Sequence, residues 1–119
     1  MTNEKAVLFI AADRPIPGRE NEAIRLWAET TSWLDSQQNL GWFSRWDGCW
    51  LTPHSGTMNS AFMCWGDRSK LDEWRRSDQF EAWCWRAASC LEGFGVVPGM
   101  TWTTAKETWE RRLRSTTQP

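Results

Sequence analysis

The stretch that decides the fold is GWFSRWDGCWL, residues Gly41–Leu51. Read as an extended strand, its period of two sends Trp42, Trp46 and Trp50 to one face. Phe43, Arg45, Asp47, Cys49 and Leu51 go to the other. A Pro/Gly connection, TPHSG (Thr52–Gly56), follows, and MNSAFMCW (Met58–Trp65) returns as a second strand. If Leu51 pairs with Met58, Trp50 faces Asn59, and the indoles share a face with Asn59, Ala61, Met63 and Trp65. A shift of one residue exchanges every one of those neighbours.

Upstream, AVLFIAA (Ala6–Ala12) is an unbroken apolar run and reads as a strand buried on both sides. DRPIPG (Asp13–Gly18) breaks it. RENEAIRLWAETTSWLDSQQN (Arg19–Asn39) then reads as a helix, with Ile24, Trp27, Ala28, Thr31 and Leu34 on one face and Leu26 and Trp33 on the other. Downstream, Gly66–Leu91 is helical, with a fresh cap at Ser77 that predicts a kink or a second helix. EGFGVVPGMTW supplies a last strand, roughly Phe94–Trp102.

The order strand, helix, strand, strand, helix, strand predicts an α+β fold. It is the ferredoxin-like βαββαβ, a four-stranded antiparallel sheet with helices on one face. The chain reads as a single domain over 1–119, with a core of about 5–103, a closing helix of about 104–114 and a frayed tail.

The strands are apolar on both faces, which a lone two-layer domain does not need. Val7 and Phe9 oppose Leu8 and Ile10, and the later strands repeat the pattern. A second copy packed sheet to sheet explains this, so a homodimer is expected.

Composition narrows the chemistry. The chain has 11 Trp, 5 Phe and no Tyr, and 14 basic residues balance 15 acidic ones. Indoles pack and stack but do not move protons at neutral pH. The even charge lacks the basic stripe of a nucleic-acid binder, although an aromatic sheet face is also how RNA-recognition sheets work. No apolar run approaches the ~20 residues that span a bilayer, and Met1–Lys5 does not read as the start of a secretory signal. No membrane role and a cytoplasmic location are expected. Cys49, Cys64, Cys84 and Cys90 form no C-x-x-C pair, and His54 is the only histidine, so neither a metal nor another cofactor is called for. Reduced, partly buried thiols are expected.

The segments KAVLFIAA (Lys5–Ala12), IPGRENEAIRLWAE (Ile16–Glu29) and LDEWRRSDQFEAW (Leu71–Trp83) resemble the dimeric α/β-barrel superfamily over roughly residues 5–103. That group includes antibiotic-biosynthesis-type and haem-degrading monooxygenases. The resemblance implies a pocket between sheet and helices in each subunit, with the two sheets meeting at the dimer centre. It also implies Asn and Trp, and in some members Tyr or His, around an electron-rich aromatic substrate. This chain departs from it in lacking Tyr and in carrying its histidine in a hairpin loop.

The candidate site residues follow. Trp42, Trp46, Trp50 and Trp65 form an aromatic wall for an apolar or aromatic molecule, or else fill core or dimer seam. Arg45 and Asp47 flank Trp46 and either pair with each other or reach a ligand. His54 is the general-base candidate, and Asn59 is a polar strand residue within reach of a pocket. The functional readings are a small-molecule binder, with a cofactor-independent oxygenase or isomerase as its catalytic form, and a non-catalytic homodimeric interaction module.

Overall fold

Strand β1, Ala6–Ala12, is the hub of the sheet. It pairs antiparallel with β3 (Ser60–Gly66) on one side and with β4 (Gly95–Met100) on the other. Strand β2 (Arg45–Trp50) adds to the far side of β3, giving the order β2-β3-β1-β4. Helix α1 (Glu20–Asn39) joins β1 to β2. Two helices, α2 (Arg68–Arg75) and α3 (Asp78–Cys90), join β3 to β4, and α4 (Trp102–Thr117) follows. This computed structural model describes residues 4–117. The topology is the ferredoxin-like one that the order of elements predicts.

The break between α2 and α3 is local chemistry. The hydroxyl of Ser77 accepts from the backbone N–H of Phe80 at 3.2 Å, capping a new helix. Element ends move from the expected ones: Trp42 and Phe43 precede β2, and Trp102 opens α4 instead of closing β4. The tail expected from Ser115 onward is helical through Thr117, and the rest of it lies outside the described residues.

The buried face of α1 is Ala23, Leu26, Thr30, Leu34 and Gln37. It is turned by about one residue from the stripe that apolarity alone selects, and Ile24 of that stripe is 59% exposed. Two buried polar residues explain the turn. Trp74, fully buried, donates its Nε1–H to Gln37 Oε1 at 2.8 Å. Trp83 donates its own to Thr30 Oγ1 at 3.0 Å. A buried indole N–H needs an acceptor, so α1 presents polar atoms to the core. Leu26, expected on the opposite side, is core.

The register of β2 on β3 is the fold feature that matters most for the site. Trp50 lies opposite Ser60 and Trp46 opposite Cys64. This is one residue away from the Leu51–Met58 pairing, which is therefore incorrect. The reason is Asn59. Its backbone N–H donates to Ala12 O at 2.9 Å and its side chain to Asp13 Oδ1 at 2.8 Å, while its own carbonyl accepts from Leu51 N–H at 2.8 Å. Asn59 is thus tied to the end of β1, which sets where β3 begins. Because directly paired residues share a face, Trp46 and Trp50 lie on the side of Leu8, Ile10, Ser60, Phe62 and Cys64, under the helices.

The other face of the sheet carries Val7, Phe9, Met63, Trp65 and Val97, with Arg45 and Asp47 on its β2 edge. Val97 is 56% exposed there. No described helix is long and apolar enough to cross a membrane.

Candidate functional site

A groove of about 400 Å³ opens between the edge strand β2 and α1. Its walls are aromatic. Trp27 of α1 meets Trp50 of β2 at a centroid distance of 4.3 Å and an interplanar angle of 66°. Trp46 meets Phe62 of β3 at 6.0 Å and 63°. Trp50 is 64% exposed, so much of its ring is open to a ligand. Thr31, Ser60, Cys49 and Asp47 add polar atoms to the lining.

Two features hold these walls. The indole Nε1–H of Trp46 donates to Asp35 Oδ1 of α1 at 2.8 Å, fixing the ring across the gap between strand and helix. Gly48, between the two tryptophans, leaves room for Phe62. A Cβ there would lie 2.8 Å from Phe62 Cδ1 and 3.3 Å from the Ala61 carbonyl oxygen. The groove deepens toward the helix–sheet seam, where Trp27, Ser60 and Phe62 also border a small void near Ile10, Leu26 and Phe94.

The candidate residues from sequence separate into five places. Trp46 and Trp50 line the groove, and Asp47 borders it from the β2 edge with its side chain turned to the opposite sheet face. Arg45 and Trp65 stand on the opposite sheet face, where the Arg45 guanidinium lies 3.8 Å from the Trp65 ring centroid. Arg45 Nε also reaches Glu4 Oε1 at 3.1 Å, so its ion pair is with Glu4 and not with Asp47. The carboxyl of Glu4 is held below its ordinary range, first by the Ser44 hydroxyl and then by Arg45. Asp47 Oδ1 accepts from Gly48 N–H at 2.8 Å. Trp42 sits before β2, packed against the core.

Asn59 and His54 are elsewhere again. The Asn59 side chain is engaged with Asp13. His54 is exposed in the β2–β3 connection, its Nδ1 at 2.9 Å from Thr52 O. Neither borders the groove. Trp27, Thr31 and Phe62 complete the lining and do not stand out as site residues in the sequence. Trp27 and Thr31 fall on a helical stripe that reads as core, and the register of Phe62 is invisible without the sheet.

The thiols divide by environment. Burial pushes Cys64 up to about 12, and burial with Glu81 nearby pushes Cys84 up to about 11. Cys90 is also raised, chiefly by burial. Cys49 is exposed at the groove. Among the described residues, no three His, Cys, Asp or Glu side chains group as a metal site.

No family model matches this sequence, and no curated protein matches it. Its fold does match a solved structure. A dimeric protein of unknown function and ferredoxin-like fold from Bacteroides fragilis NCTC 9343 superposes with a TM-score of 0.60. That match covers 81% of this chain and 96% of the other at 10% identity. At that identity the likeness speaks for the fold alone, and the fold shared is the ferredoxin-like one.

Proposed function

We propose that this protein is a homodimer that binds a small apolar or aromatic molecule in the groove between β2 and α1. The observation that carries the reading is the cavity of about 400 Å³ walled by Trp27, Trp46, Trp50 and Phe62. Its size falls at the low end of the ~300–1,000 Å³ of small-molecule pockets, which are mostly apolar with a few polar groups. The dimer is supported by the apolar outer face of Val7, Phe9, Met63, Trp65 and Val97. The dimeric state of the Bacteroides protein is consistent with it.

The catalytic form of this reading is a cofactor-independent oxygenase or isomerase, in keeping with the resemblance to the antibiotic-biosynthesis-type monooxygenases. The arrangement favours binding over turnover. The general-base candidate His54 and the polar candidate Asn59 make their hydrogen bonds at Thr52 and Asp13, away from the groove lining. A second reading, a subunit-association module without a ligand, is favoured by the same apolar outer face.

The test is a tryptophan-fluorescence and thermal-shift screen of wild type and Trp50→Ala against phenols, quinones, indoles and haem. A ligand that shifts the wild type and not the variant supports the groove. If no compound shifts either protein, the association module takes its place.

A further inference from the structure

The groove has a sign as well as a shape. Among the described residues that line it, none is Lys, Arg or His, and the one acidic residue, Asp47, borders it from the β2 edge with its side chain on the other sheet face. The arginine of β2, Arg45, is turned to the other sheet face and engaged by Trp65 and Glu4. Trp46 gives its indole N–H to the carboxylate of Asp35 at 2.8 Å. A carboxylate at that N–H polarises the ring and makes its face more electron-rich.

The ring geometry suits one kind of guest. The Trp27–Trp50 and Trp46–Phe62 pairs each meet edge to face, at 66° and 63°. Walls set at steep angles let a rounded cation touch more than one π-face, and indole faces attract cations more strongly than those of phenol or benzene. A primary ammonium carries three N–H donors that need acceptors, whereas a methylated ammonium presents carbon to the rings and keeps its charge. The walls offer mostly rings, with the hydroxyls of Thr31 and Ser60 at the edges.

We propose that this groove is an aromatic box for a methylated ammonium group, with Trp27, Trp46 and Trp50 as its walls and the Asp35 carboxylate, held on the Trp46 N–H, as the nearby negative charge. The inference rests on the small-molecule reading above and names its ligand class.

The test is titration calorimetry with choline and with 3,3-dimethylbutan-1-ol, its neutral isostere in which carbon replaces nitrogen. Choline should bind about tenfold tighter or more, the margin expected of a partly desolvated cation over indole. Trp50→Ala should lower choline affinity about tenfold, and Asp35→Asn, which keeps an acceptor for the Trp46 N–H and removes the charge, about threefold. Both side chains are exposed, and unchanged thermal melting would show that the fold is kept. A trimethyllysine peptide run in parallel tells a side-chain source from a free cation, and binding of either above the isostere supports the box. Equal binding of choline and isostere overturns the proposal while leaving the pocket. So does failure of choline and the peptide where a phenol or an indole binds. Failure of every probe removes both the proposal and the reading beneath it.

Discussion

Trp27 and Trp50 stand 4.3 Å apart, edge to face, across the gap between α1 and β2. One comes from a helix and the other from an edge strand, so the pair is a tertiary contact. Both rings line the groove. An aromatic pair of this geometry contributes ~0.5–1.5 kcal/mol beyond area burial, too little to explain why an indole should stay 64% exposed there. The ligand proposed for the groove would cover that face.

Trp50→Ala and Trp74→Ala should therefore part company. Trp50 is largely exposed and Trp74 fully buried. Urea unfolding should show Trp50→Ala within about 1 kcal/mol of wild type and Trp74→Ala weaker by ~3–5 kcal/mol. Similar losses for both would mean that Trp50 is structural.

Gln37→Leu should destabilise by about 1–3 kcal/mol, because it leaves the buried Trp74 Nε1–H without its acceptor. Combining it with Trp74→Phe, which removes the donor, should cost less than the sum of the two changes. Additive losses in a double-mutant cycle would contradict the pairing.

Gly48→Ala should push the Phe62 ring out of place, since the new Cβ would lie 2.8 Å from Phe62 Cδ1. Overpacking of this kind typically costs ~1–3 kcal/mol. Phe62→Leu in the same chain should recover part of it, read as a denaturation midpoint. No recovery would place the strain in the backbone instead.

Cys64 sets an alkaline limit. Its thiol is pushed up by burial from 9.0 to about 12, so the folded state prefers the protonated form. Below pH 9 that preference costs nothing, because the thiol is protonated folded and unfolded alike. As pH rises from 9 toward 12, the unfolded chain releases its proton first, and stability falls. Cys64→Ala should flatten this part of the stability–pH profile. Thiol labelling of the native protein at pH 8 should reach exposed Cys49 well before Cys64.

Val97→Asp should separate assembly from folding. Val97 lies on the outer sheet face and is 56% exposed. Light scattering should show the wild type as a dimer and the variant as a monomer with unchanged circular dichroism. A wild-type monomer would remove the sheet-to-sheet dimer.

The order of elements was legible because it depends on local signals. Ala6–Ala12 is unbroken and apolar, Asp13–Gly18 breaks it, and Ser77 caps a new helix. The site was only half legible. That Trp46 and Trp50 share a face follows from a period of two, but which face depends on register. Register here is set by Asn59 and Asp13, residues 46 positions apart. No local pattern reports such a contact. Trp42 drops out because the chain before Arg45 is not strand. The buried face of α1 was misplaced for a related reason. Thr30 and Gln37 are buried to serve indole N–H groups, and an apolar stripe cannot reveal polar residues that the core requires.

The proposed binding of a ligand between β2 and α1 can be read from the indoles themselves. The most direct measurement is a 15N-resolved map of the 11 indole N–H resonances during titration with a hit from the screen. A ligand in the groove should move Trp27, Trp46 and Trp50 together while buried Trp74 and Trp102 and Trp109 of α4 stay fixed. Shifts confined to α4 or to the outer-face Trp65, with the groove indoles unmoved, would contradict it.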